Sequence, residues 1–256
     1  MIIINTPPLT QIDIELGLRQ LGLEPGFIVE VHSSLRRFGT VAGGAETVVD
    51  ALMNTVGAGG AIVMPAQPLT KPLPLSEDDR RRGILAKVHH LAEDSDAPTG
   101  MGAIADAFRR RAGVLAGTGI HRVCAYGRDA ALFARDGFAR LLDVDGWALL
   151  LGVDIHRCSS MHQAEKKAGL PPEVEACYSA TADVLRDYPP EDWYVQCGDT
   201  PEDGWGKIQA EAERLGLIRR GQIGQAECRL FKARAVVGLY ETALRSDPFK
   251  LFGIMH

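Results

Sequence analysis

Long apolar runs are missing from this 256-residue chain. No stretch reaches the roughly 18 residues that cross a bilayer, so no membrane partner is expected. The N-terminal MIIINTPPLT has neither a positive start nor an extended apolar core. It does not read as a signal peptide, and the expected location is the cytoplasm. Cysteine is sparse: Cys124, Cys158, Cys177, Cys197 and Cys228 are odd in number, widely spaced and never paired as CxxC. That pattern argues against a disulfide framework or a zinc cluster and fits reduced thiols. Charge of one sign does not dominate, with 28 Lys and Arg against 33 Asp and Glu and a net charge of -5. Without a long basic block, nucleic acid is not an expected partner. There is no GxSxG elbow, Walker loop or GxGxxG, so neither a serine hydrolase nor a standard nucleotide loop is indicated. The histidines lack metal-ligand spacing: His89 and His90 are adjacent, and His121, His156 and His256 have no second ligand nearby. No metal is expected.

What is present reads as soluble and globular, with 46% hydrophobic and 24% charged residues. The length suffices for a large α/β core, taken here as one domain over 1–256. Apolar positions over 10–23 recur at helical spacing. Phe27-Ile28-Val29-Glu30-Val31 reads as a buried strand, 45–56 as a helix and 61–64 as a second strand closed by Pro65. Residues 67–100, with Pro68, Pro72, Pro74 and Pro98, read as a surface excursion with a short helix near 82–91. Further on, 101–111 is helical and 147–153 is a strong buried strand. A helix is expected over 159–168, a strand over 178–184, a helix over 205–215, a strand over 226–230 and a closing helix over 236–245. The order strand, loop, helix, strand predicts an α/β fold with a sheet between flanking helices, a three-layer arrangement.

Two strand ends carry chemistry-bearing residues. The first is VHSSLRRFGTVAGG, from Val31 to Gly44, which leaves a strand and enters a helix. Glycines there would let backbone approach a phosphate, the helix N-terminus would supply donors, and Arg36 and Arg37 add cations. The same residues also read as an ordinary connection with surface arginines. The second is LLLGVDIHRCSSMHQAE, ending in Glu165. Ser159 or Ser160 is a natural N-cap, and Ser160 to Gln163 has capping-box spacing. His162 falls in the first turn, with Glu165 three residues on along the same face. A histidine so placed beside a carboxylate is a candidate general base; a capped helix with a structural histidine is the alternative. An acidic cluster, Asp199, Glu202 and Asp203 beside Glu191 and Asp192, would hold a cation or orient a histidine, or is a solvated turn.

These segments, in order, resemble the aminoglycoside 3-N-acetyltransferase family. VHSSLRRFGTVAGGAETVVDAL is similar to its opening signature, and VGAGGAIVMPAQ to the strand that follows. DAPTGMGAIADAFRRRAGV, LLLGVDIHRCSSMHQAE, RRGQIGQAECRLFKARAVV and LRSDPFKLF are similar to its later segments. The resemblance covers most of the chain. It implies the antibiotic N-acetyltransferase fold, distinct from the common acetyltransferase superfamily fold. It also implies acetyl transfer from acetyl-CoA to the 3-amino group of an aminoglycoside, an antibiotic-resistance activity. His162 and Glu165 match the family's histidine and glutamate, Ser160 a hydroxyl residue, and Asp199 falls near a downstream acid. His32, Ser33, Ser34, Leu35, Arg36, Arg37, Gly39, Val41, Gly43 and Gly44 would contact coenzyme A. The chain departs from the family pattern over Leu115–His121 and over 130–147.

On that reading His162 is the general base, and Glu165 or Asp199 fixes its tautomer. The Ser160 hydroxyl or nearby backbone amides would meet the oxyanion. A polycationic acceptor would need carboxylates, with Asp94, Asp96, Glu202 and Asp203 as candidates beside Glu77, Asp78, Asp79 and Glu93 of the excursion. Acyl transfer to a biosynthetic amine and a coenzyme-A-binding protein without catalysis remain alternatives. A cysteine-nucleophile route would rest on Cys158. The sequence does not give the oligomeric state.

Overall fold

The computed structural model describes residues 7–177, 179–197 and 204–254. Its strands are β1 (Ile28–Ser33), β2 (Ala61–Pro65), β3 (Ile84–His89), β4 (Leu115–Ala116), β5 (Val123–Gly127), β6 (Trp147–Leu151), β7 (Trp193–Cys197), β8 (Ile218–Ile223) and β9 (Ala226–Lys232). The helices used below are α1 (Gln11–Leu21), α2 (Gly44–Val56), α3 (Glu77–Arg81), α4 (Ala103–Arg109), α5 (Ala130–Asp143), α6 (His162–Ala168), α7 (Pro172–Ala176), α8 (Ala182–Asp187), α9 (Gly204–Arg214) and α10 (Ala233–Ser246). Seven strands form one mixed sheet in the order β4-β5-β2-β1-β6-β9-β8. The three central strands are parallel: β1 pairs with β2 on one side and β6 on the other. The outer strands run antiparallel.

Alternation along the strands divides the core in two. On one face Val29, Val31, Ile62, Met64, Leu149 and Leu151 pack against α1, α2 and α4. On the other, Ile28, Ala61, Val63, Ala148 and Leu150 pack against α5, α6, α7, α9 and α10. This is the expected α/β sheet between helical layers. β1 connects to β2 through α2 on one face, and β5 to β6 through α5 on the other. The carboxyl ends of β1 and β6 therefore flank a topological switch point, where α/β sheets bind ligands.

The excursion over 67–100 differs from expectation. Residues 82–91 are not a helix: they contain β3, which pairs antiparallel with β7 to form a separate two-stranded sheet. The helix lies earlier, at α3, where Ser76 and Asp79 form a capping box. Of the strand expected over 178–184, residue 178 lies outside the described residues, and α8 begins within the remainder. Its alternation is too short to distinguish the two periods. β3, β7, α3 and α8 together make a small flap whose packed side chains include Ile84, Val184, Cys197 and Tyr188.

Candidate active site

His162 opens α6, directly after a 3-10 turn at Ser159–Met161. Its Nδ1 donates to Glu165 Oε2 at 2.8 Å, one helical turn on. Glu165 Oε1 accepts from the Tyr240 hydroxyl at 3.0 Å, so the carboxylate is fixed from both sides. Trp205 of α9 meets the imidazole edge-on at 4.8 Å between ring centroids. The His162 side chain is 59% exposed. With Nδ1 engaged, the lone pair on Nε2 is the one offered to an incoming proton, the geometry of a general base. Of the two carboxylates considered for this role, Glu165 is the partner seen. Asp199, Glu202 and Asp203 lie outside the described residues.

At the carboxyl end of β1 a groove of ≈ 540 Å³ is lined by Ser33, Ser34, Leu35, Arg36, Gly39, Val41 and Gly44, with Gly102 and Ala103 at the start of α4. Gly39, Gly44 and Gly102 have φ of 82°, 65° and 97°, a region that favours residues without a Cβ. The first N–H groups of the 3-10 turn Leu35–Phe38 have no partner within that turn. Arg36 is the charged residue on the lining, and no carboxylate shares it. Glycine-exposed backbone, the N–H groups opening a turn and one guanidinium suit an elongated, anionic ligand. Three residues expected in this loop are not on the lining. His32 is 5% exposed and points beneath it. Arg37 packs over Gly152, where a Cβ would come within 2.4 Å of the arginine's own. Gly43 is the left-handed cap of α2.

Ser160 differs from expectation. It caps no helix, and its buried hydroxyl donates to Glu30 Oε1 at 3.0 Å rather than facing the groove. Cys158 is also fully buried and donates to the same oxygen at 2.9 Å. Burial, and then the neighbouring Glu30 charge, push its thiol well above the usual range. That removes Cys158 as a nucleophile. Among the described residues, Glu30, His32 and Cys158 bring potential metal-ligand atoms within 4.8 Å of one another. Bond lengths to zinc would separate the thiolate and carboxylate atoms by about 3.5 Å. The 2.9 Å observed is the spacing of a hydrogen bond from thiol to carboxylate.

Of the acidic residues of the excursion, Asp79 and Glu93 are engaged within the protein. Asp79 is buried in the flap under Lys87 and Tyr188. Glu93 accepts from the Gly119 amide, and the Asp96 carbonyl from Arg110. Asp94 and Asp96 are exposed. His121 does lie near the base. Burial first, then the nearby Lys166 ammonium, hold its imidazole below the usual range.

Sequence reasoning missed Tyr240, Trp205 and Glu30. The first two lie too far along the chain for spacing to find them. Glu30 left a signal: an acid at an inward position of a buried strand needs partners.

A mixed sheet with a carboxylate-backed histidine and a glycine-lined anion groove at one end defines a group-transfer enzyme of the acyltransferase class. The sequence model of the aminoglycoside 3-N-acetyltransferase family matches residues 31–245, and the chain belongs to that family. It is 28% identical to aminoglycoside N(3)-acetyltransferase VII of Streptomyces paromomycinus, over 90% of this chain and 89% of that protein. It is 27% identical to the prophage-derived aminoglycoside N(3')-acetyltransferase-like protein YokD of Bacillus subtilis strain 168, over 93% of each. The fold matches the crystal structure of aminoglycoside acetyltransferase AAC(3)-IVa with a TM-score of 0.72 at 22% identity, over 97% of this chain and 92% of that one. It matches YokD from Bacillus subtilis with a TM-score of 0.71 at 24% identity, over 96% of each.

Proposed function

We propose that the protein transfers an acetyl group from acetyl-CoA to the 3-amino group of an aminoglycoside, with His162 as general base. The observation that carries this reading is His162, tied through Nδ1 to Glu165 and Tyr240, at the same end of the sheet as the Ser33–Gly44 groove. Family membership supports the chemistry, and structures of similar proteins are complexes with CoASH, gentamicin and apramycin.

Arg36 and the backbone of the groove hold the phosphates of the thioester donor. His162 Nε2 removes a proton from the acceptor nitrogen as that nitrogen attacks the thioester carbon; the C–S bond then breaks, and the imidazolium returns the proton to the departing coenzyme A sulfur. Glu165 keeps the other ring proton on Nδ1 and stabilises the imidazolium that forms, and Tyr240 keeps Glu165 in place. With Ser160 turned inward, backbone N–H groups meet the developing oxyanion. Proton removal of this kind contributes about 10²–10⁴-fold. Purified protein with acetyl-CoA and an aminoglycoside panel is expected to release free thiol. His162→Ala retaining near-full turnover overturns the assignment.

One observation favours a second reading, transfer to a less cationic biosynthetic amine. The chain departs from the family pattern over Leu115–His121, and the His121 imidazole has the Lys166 ammonium among its neighbouring charges. A monoamine acceptor used faster than any aminoglycoside would select this reading.

A further inference from the structure

We propose that Glu30 and His32 are positioning residues that hold Cys158, Ser159 and Ser160 in the conformation delivering His162 to the acceptor. The proposal rests on the reading of His162 as the base. α6 cannot set its own start. It has seven residues, and its N-cap is Met161, which makes no side-chain cap. Helices this short are unstable alone and take their position from tertiary contacts. The contacts come from β1, 130 residues earlier. Glu30 Oε1 accepts from Cys158 Sγ at 2.9 Å and from Ser160 Oγ at 3.0 Å. His32 Nε2 accepts from the Ser159 backbone N–H at 3.2 Å and lies 3.3 Å from Glu30 Oε1. Three consecutive residues before the base are thus fixed by two residues on one face of one strand.

Glu30 is 0% exposed, and its Oε2 has no partner among the described residues. A buried carboxylate left half-satisfied is poorly explained as a stabilising device, since an apolar residue would fill the site at less cost. It is explained if the two bonds made by Oε1 fix geometry. β1 then runs on into the Ser33–Gly44 groove. One strand therefore sets the donor site through its backbone and the base through its side chains.

The test uses the full chain with acetyl-CoA and gentamicin. Glu30→Met keeps the volume and removes both accepted bonds. It is expected to lower kcat about 10²-fold, the scale of a misplacement near 1 Å. The KM for acetyl-CoA should stay within about twofold, and the melting temperature should fall by no more than ~4 °C. Amide hydrogen exchange over 158–165 should quicken at least about tenfold while β6 is unchanged. Glu30→Gln keeps an oxygen acceptor and should restore kcat to within about threefold. Unchanged kcat in a folded Glu30→Met, or equal loss in Glu30→Gln, overturns the proposal. If Glu30→Met does not fold, His32→Leu takes its place with the same expected changes. His162→Ala runs in parallel. Should it keep full turnover, or should wild-type protein not turn over gentamicin, the base reading or its substrate fails. The exchange measurement then decides positioning alone, and unchanged exchange over 158–165 overturns it.

Discussion

The seven-stranded sheet and the small flap built from β3, β7, α3 and α8 are held together by opposite means. The sheet buries aliphatic and aromatic side chains on both faces, with Phe133, Phe108 and Tyr240 among the largest. The flap buries Ile84, Val184 and Cys197 and, beside them, the carboxylate of Asp79. Lys87 Nζ donates to Asp79 Oδ2 at 2.6 Å, and the Tyr188 hydroxyl donates to Oδ1 at 2.6 Å. The Ser76 amide donates to Asp79 Oδ2 at 2.7 Å. Where there is area to bury, shape suffices; where there is little, direction-dependent bonds fix the register. The flap carries His90, one of the groups whose charge reaches His121 near the base. The groove and His162, by contrast, stand on the sheet.

The difference can be broken most forcefully at its two centres. Phe133→Ala should cost about 3–5 kcal/mol by cavity formation. It should lower the melting temperature of the whole protein at every pH tested by scanning calorimetry. Lys87→Met leaves the Asp79 carboxylate buried without its cation, which costs about 3–5 kcal/mol. Here the loss should be local: limited proteolysis should cut the flap while the sheet's amides stay protected. Adding Asp79→Leu to Lys87→Met should restore protection, because the orphaned charge goes with it. If the double variant is no better than the single, the flap is not organised around this pair.

Acid should separate the regions next. Burial raises the Asp79 pKa, but the Lys87, Tyr188 and Ser76 bonds outweigh it and hold the carboxyl well below the usual carboxylate range. A group with a depressed folded pKa contributes stability that is fully present above its unfolded value of about 3.9. That stability is lost as pH falls towards the folded value. Flap amides should therefore gain exchange relative to sheet amides as pH drops below about 4. Parallel loss of protection in both regions would count against the assignment.

Arg82 offers the smallest effect. It bonds Asp183 at 3.0 Å and Asp187 at 2.9 Å, and those carboxylates are about half exposed. Arg82→Gln should change flap proteolysis by less than about threefold, and less still in high salt. A large, salt-independent effect would mean the flap relies on its surface ion pairs as much as on Asp79.

The same contrast governs what the sequence discloses. β1 and β6 announce themselves as apolar runs because both faces are covered. The pairing of His162 with Glu165 is legible because both lie on one helical turn. β3 is misread as a helix because Ile84-Leu85-Ala86-Lys87-Val88-His89 places a lysine where apolar spacing would demand an aliphatic. The acid that justifies that lysine lies eight residues away in another element. Glu30 with Ser160, and Glu165 with Tyr240, are contacts between segments 130 and 75 residues apart. Only the folded chain brings them together.

The pleat of β1 has one more consequence. Val29 and Val31 face one core while Glu30 and His32 face the other, in register with Ala148 and Leu150 of β6. A one-residue slip would send both valines to the site and press a carboxylate and an imidazole into the aliphatic layer. No partially correct arrangement exists at half that step. Turnover by a single molecule is thus a certificate that its central strand was laid down true, and specific activity, measured across a refolded population, counts the chains that were.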